Sequence, residues 1–168
     1  MVGLKVLDVK KCMNQLLATD CFDRWQLAEA KIITYVSYVI DGHLTEEYMT
    51  GEEMEAEGLQ QGECVPYGRV RPLCFDMIKG KRVPKNFRFV LQFPKQEVAD
   101  FVGNLQGNFT PGDVANLTMN VSFSEGGLFV TTGCTLRMFS MDKSLEQEWD
   151  LKVMELFRKM EITVEKIT

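Results

Sequence analysis

Three stretches predict an α+β domain in which an antiparallel sheet is covered by helices. In the first, Leu117, Met119, Val121 and Phe123 alternate with Thr118, Asn120, Ser122 and Ser124, so each face of an extended strand carries one kind of side chain. Glu125-Gly126-Gly127 then supplies residues tolerant of positive φ, and Leu128-Phe129-Val130-Thr131-Thr132 resumes β-branched and aromatic usage, the pattern of a tight hairpin. In the second, Phe87, Phe89, Leu91 and Phe93 alternate with Arg88, Val90 and Gln92. In the third, Leu145, Trp149, Val153, Leu156, Phe157 and Met160 form one stripe of a helix roughly 24 Å long, which needs a sheet to lie on.

From the N-terminus, Lys5-Val6-Leu7 reads as a short strand. Asp8 is placed to cap a helix whose apolar positions are Val9, Cys12, Met13, Leu16 and Leu17. After a break at 19–23, Ala28, Ala30, Ile32, Val36, Tyr38 and Ile40 keep strand parity. A straight strand over 28–40 would run roughly 40 Å, so a bend or bulge is expected near Thr34-Tyr35. Asp41-Gly42 is the strongest short hairpin signal in the chain.

From Asp41 to Glu63 the chain holds eight acids and no Lys or Arg, which predicts a solvated helix or loop. Pro72 stands where a helix through Ile78 would begin, and Gly80 would end it. Pro94 opens a helix with Val98, Phe101, Val102 and Leu105 on one face, stopped by Gly103 or Gly107. Thr110-Pro111-Gly112-Asp113 reads as a short capped turn, and Leu136-Arg137-Met138-Phe139 as a third strand after the central hairpin. Ser144 and Gln147 match a capping box for the last helix, with acids near its start and Arg158 and Lys159 near its end.

The 168 residues suffice for one domain, 1–168, with a single core. Hydrophobic residues at 45% and charged residues at 26% exclude a disordered or low-complexity chain. Strand, helix, hairpin and helix recur in similar order in the halves 1–84 and 85–168, which raises a pseudo-twofold arrangement as an expectation. Cys12, Cys21, Cys64, Cys74 and Cys134 are widely spaced, contain no C-x-x-C pair, and read as reduced, mostly buried thiols. With no charged segment leading into an apolar one after Met1, and no window near the roughly 18 apolar residues of a membrane span, the chain is expected to be cytoplasmic and free of membrane.

Asp8-Val9-Lys10-Lys11, Ile40-Asp41-Gly42-His43-Leu44, Ile78-Lys79-Gly80-Lys81-Arg82 and Arg137-Met138-Phe139 through Asp142-Lys143-Ser144-Leu145-Glu146 to Trp149-Asp150 carry a resemblance. Together they resemble an uncharacterised protein family of clostridial bacteria, a domain of unknown function, over nearly the whole chain. The resemblance implies a cytoplasmic bacterial origin, and no activity, substrate or site residue comes with it.

The basic stretch is the main functional candidate. Arg69, Arg71, Lys79, Lys81, Arg82, Lys85 and Arg88 are opposed only by Asp76 and interleave with aromatic residues, as in single-strand binders. Two plainer readings compete: the cations solvate a helix end, or the acidic run at 46–57 folds against them and neutralises both. His43, the one histidine, lies near Glu46 and Glu47, a weak candidate for acid–base work or a metal site; its plainer reading is a solvated turn residue. G-x-S-x-G, G-x-x-x-x-G-K-[ST] and H-E-x-x-H are absent, so no catalytic residue, metal or cofactor is assigned and the reading leans against an enzyme. The expected function is an intracellular binding or interaction module that meets a protein or anionic partner through 69–88. The first alternative is a nucleic-acid-binding protein of clamp-like or saddle-like architecture, and the second an enzyme with scattered site residues near His43.

Overall fold

Alternation and turn chemistry give the strands, and their register joins them. In the computed structural model, which describes residues 1–167, eight strands form one antiparallel sheet. They are β1 (Gly3–Val6), β2 (Gln26–Ile33), β3 (Ser37–Asp41), β4 (Val65–Pro66), β5 (Asn86–Gln92), β6 (Val114–Ser124), β7 (Gly127–Leu136) and β8 (Val164–Lys166). The order across the sheet is β3-β2-β5-β6-β7-β1-β8, with β4 paired to β2 beyond the end of β3. The helices are α1 (Val9–Leu17), α2 (Gly51–Ala56), α3 (Tyr67–Ile78), α4 (Lys95–Gly103) and α5 (Ser144–Lys159).

One face of the sheet is the core. Ala30, Phe89, Val121, Val130 and Leu4 sit opposite one another on five adjacent strands, and all are buried. Four helices cover this face. The Tyr67 ring of α3 lies 6.1 Å from Phe89, and its hydroxyl donates to the Leu16 carbonyl of α1 at 2.9 Å. The Trp149 ring of α5 lies tilted 4.9 Å from Phe93, which Phe101 of α4 meets edge-on at 6.4 Å. Burial pushes the Tyr67 phenol up, the Cys12 thiol to about 12 and the Cys74 thiol to about 11, so these groups stay neutral. All five cysteines are free, with Cys21 exposed.

The central hairpin, the strand at 86–92 and the last helix form where alternation and the apolar stripe place them. Elsewhere tertiary contacts redraw the reading. The expected bend near Thr34-Tyr35 is a full hairpin turn: Thr34 N–H donates to Val36 O at 2.9 Å, and Ile33 pairs with Ser37. Asp41-Gly42 is therefore no turn. Gly42 continues the line of β3, donating to Ala28 O at 2.9 Å and accepting from Val65 N–H at 2.7 Å. The bulge of β2 falls at Ala28, where the register with β5 shifts.

Helix α3 starts at Tyr67, five positions before the expected Pro72, which lies inside it. Its first turn is held from outside: Tyr67 N–H donates to Trp25 O at 2.7 Å and Gly68 N–H to Asp23 O at 3.1 Å. A Cβ on Gly68 would stand 2.8 Å from Asp23 Cβ, so glycine permits that approach. No third strand follows the hairpin. β7 ends at Leu136, and Met138 and Phe139 project into solvent. The strand order also does not display two similar halves, because β1 is inserted between β7 and β8, and Gly126 occupies a turn while Gly42 does not.

Carboxylates cap backbone at several points. Asp8 begins α1 without a side-chain cap; its Oδ2 instead accepts from Thr163 N–H at 2.6 Å. The expected Ser144–Gln147 capping box is absent, and Asp142 Oδ1 takes the Ser144 N–H at 2.9 Å. Asp113 accepts from Thr110 N–H at 2.7 Å. These backbone donors hold the Asp8, Asp142 and Asp113 carboxyls below the usual carboxylate range. A carboxyl with a lowered folded-state pKa adds stability that is fully present above about pH 4 and is lost as pH falls through the folded value. The acid limb of stability should therefore become shallower in Asp8→Asn/Asp113→Asn; urea midpoints measured from neutral to acid pH check this, and an unchanged slope would refute it.

Candidate functional site

The face of the sheet opposite the four helices is bare. Register places Lys31, Arg88, Ser122, Phe129, Lys5 and Glu165 side by side on six adjacent strands, all turned away from the core. Lys31 and Arg88 are exposed; Ser122, Phe129 and Lys5 are half-buried by their neighbours. With strands about 4.8 Å apart, Lys31 to Lys5 spans roughly 19 Å. The next row carries Glu29, Val90, Asn120 and Thr131, and Glu29 faces Asp41 of β3, which gives that corner an acidic edge.

The structure divides the seven cations of the basic stretch. Arg69 is tied to the acidic run: its guanidinium pairs with the Glu57 carboxylate and donates to the Glu57 carbonyl at 3.0 Å. Arg71 grips Asp23 through two hydrogen bonds of 2.6 and 3.1 Å and reaches Leu17 O at 3.3 Å, so it fastens α3 to the turn before β2. The hydrogen bonds to Asp23 push its guanidinium still further up. Lys79 pairs with Asp76 at 2.9 Å and lies over the Phe75 ring. Lys81, Arg82, Lys85 and Arg88 form no ion pair among the described residues. The connection carrying the first three enters β5 beside β2, where Lys85 N–H donates to Ile33 O at 2.8 Å. It thus reaches the sheet at the end of the β2–β5 pair, three residues before Arg88.

His43 lies off the row, beside Asp41 at the acidic corner. Its backbone bridges Cys64, and its Nδ1 stands 2.6 Å from Asp41 Oδ1, which also accepts the His43 N–H at 3.0 Å. These bonds hold the Asp41 carboxyl below its usual range, and both side chains remain largely in solvent. Among the described residues no group of three His, Cys, Asp or Glu side chains is placed to hold a metal ion, and no helix is long and apolar enough to cross a membrane.

A second feature is a cleft of about 720 Å³ between α4, α5 and the turn before β2. Trp25, Phe93, Phe101 and Trp149 form its apolar wall, and Arg24 pairs with Glu97 at its rim.

Residues 15–165 match a family described as a family of unknown function (DUF5721). The chain belongs to that family. No curated protein and no solved structure matches it. In this DUF5721 chain, sequence reasoning found Arg88 but missed Lys5, Lys31, Ser122 and Phe129. They lie on strands far apart in sequence, and only register aligns them. The one available signal was parity: each alternates with a core residue and so had to face away from the helices.

Proposed function

We propose that the chain is a non-enzymatic binding module whose bare sheet face takes an extended anionic polymer, single-stranded nucleic acid. The observation that carries this reading is the row Lys31, Arg88, Ser122, Phe129 and Lys5 on a face that no helix covers. Lys31 and Arg88 at one end and Lys5, beside Glu165, toward the other suit phosphates, Phe129 offers a ring on which a base stacks, and Ser122 offers a sequence-tolerant hydrogen bond. Lys81, Arg82 and Lys85, on the connection at the end of the β2–β5 pair, add positive charge at that margin of the sheet. Glu29 and Asp41 repel phosphate at the other flank and confine the strand to one path. Arg69, Arg71 and Lys79 are structural in this reading, because carboxylates already occupy them.

Fluorescence anisotropy with labelled single-stranded oligonucleotides over a salt series tests it. The log of affinity should fall linearly with the log of salt, and Lys31→Ala/Arg88→Ala should flatten that slope by about 1.4 for two lost phosphate contacts. Arg69→Ala should leave binding unchanged. Absence of binding at low salt, or equal weakening by Arg69→Ala, would overturn the assignment.

A further inference from the structure

The chain places three large apolar side chains in one short connection. Met138, Phe139 and Met141, between β7 and α5, are 75%, 92% and 85% exposed, although none is needed to close the turn. Arg137, at the start of this connection, forms no ion pair among the described residues, and Lys143 closes it, paired only with half-buried Glu146. Solvent exposure of this kind is unfavourable for a monomer and is the usual mark of a contact surface.

The cleft beside α5 has complementary properties. Its wall is aromatic, Leu151 stands at its mouth 56% exposed, and its rim carries Asp20, Asp100 and Glu148, which make no ion pair among the described residues. Lys152 is the one lining cation that is likewise without an ion pair there. An apolar cleft with an acidic rim fits an apolar segment with basic flanks.

We infer that the occupant is a second copy of this chain: the 137–143 connection of each protomer seats Phe139 and its neighbouring methionines in the α4/α5 cleft of the other. The spacing along α5 suits a closed pair. The connection precedes the helix and the cleft lies on its middle, about ten residues or roughly 15 Å further on. Two α5 helices running antiparallel across a twofold axis therefore bring each connection over the partner's cleft, and both contacts form at once. Arg137 then approaches the acidic rim, and Leu151 of each copy faces the partner's connection near Met141. This face belongs to the helical layer, so the pairing leaves the bare sheet face open.

Sedimentation velocity of the full chain over a wide concentration range tests the pairing. The expected result is a mass rising from 19.2 kDa to twice that value. Phe139→Asp should hold the chain at the monomer mass, with a thermal melt matching that of the wild type at concentrations where it too is monomeric, since the side chain it replaces is in solvent in the single chain. Glu148→Lys should weaken dimerisation at least tenfold, and Arg137→Glu added to it should restore most of that loss. A wild-type monomer at every concentration, a dimer indifferent to Phe139→Asp, or open-ended assembly in place of a dimer would each overturn the inference.

Discussion

Gly42→Ala is expected to destabilise the chain by about 3 kcal/mol or more, an unusually large effect for one added methyl group. The position does not require glycine for its dihedral angles. It requires glycine for space, because a Cβ there would stand 1.6 Å from the Leu27 carbonyl oxygen and 2.7 Å from its carbon. Both obstacles are backbone, so no rotamer change relieves the overlap. Leu27 is itself fixed between Val65 of β4 and Leu91 of β5, next to the bulge at Ala28. Relief therefore means parting the 42–43 segment from β2, with loss of the Gly42–Ala28 and Val65–Gly42 hydrogen bonds. For a chain of this length each kcal/mol lowers the melting temperature by about 2–4 °C, so a fall of roughly 10 °C is anticipated. Gly51→Ala is the control, since a Cβ there meets nothing within 4 Å. A Gly42→Ala melt within a degree or two of the control would refute the steric account.

Trp149→Ala should cost about 3–5 kcal/mol, the range for deleting a buried large aromatic side chain. Trp149 is 1% exposed and joins three elements: its ring lies 4.9 Å from Phe93, 6.0 Å from Phe101 of α4 and 6.2 Å from Trp25. Its indole N–H donates to Thr118 O of β6 at 2.9 Å. Truncation therefore opens a cavity, releases α5 from the sheet and leaves a carbonyl without its donor. Trp149→Phe separates these effects, since it keeps most of the ring packing and should cost only the hydrogen-bond share, about 1–2 kcal/mol. Urea titration measures both. Equal losses in the two variants would mean that the hydrogen bond, rather than packing, holds the helix.

Much of the fold was legible because local chemistry and tertiary outcome agree. The 117–132 hairpin has strict alternation and a glycine at the one turn position with positive φ, Gly127. The stripe of α5 buries Leu145, Trp149, Val153 and Phe157, as its spacing requires. Pro94 and the 110–113 turn act locally and behave as local rules say.

The misreadings share one cause. Asp41-Gly42 has the strongest turn propensity in its region, yet the chain turns at 34–36, because only that turn pairs Ile32 with Tyr38 and Ala30 with Ile40. Pro72 marks a helix start by local preference, yet the contacts of Tyr67 and Gly68 with the turn before β2 begin the helix earlier. At 136–139 an apolar run suggested a strand, but the edge of β6 available for pairing is used up by then. In each case a contact with a distant segment outweighs a local preference of smaller energy.

The candidate site divides in the same way. Sequence alone determined the α+β class, the long hairpin, the amphipathic last helix and the presence of a basic stretch, because these depend on the order of neighbouring residues. Only the tertiary structure decided which cations are occupied and which meet the bare face. Arg69 and Arg71 are taken by Glu57 and Asp23, while Arg88 acquires Lys31, Ser122, Phe129 and Lys5 as neighbours. The physical reason is that local periodicity sets the face on which a side chain lies, whereas strand order and register set what lies beside it, and register is a property of pairs of segments.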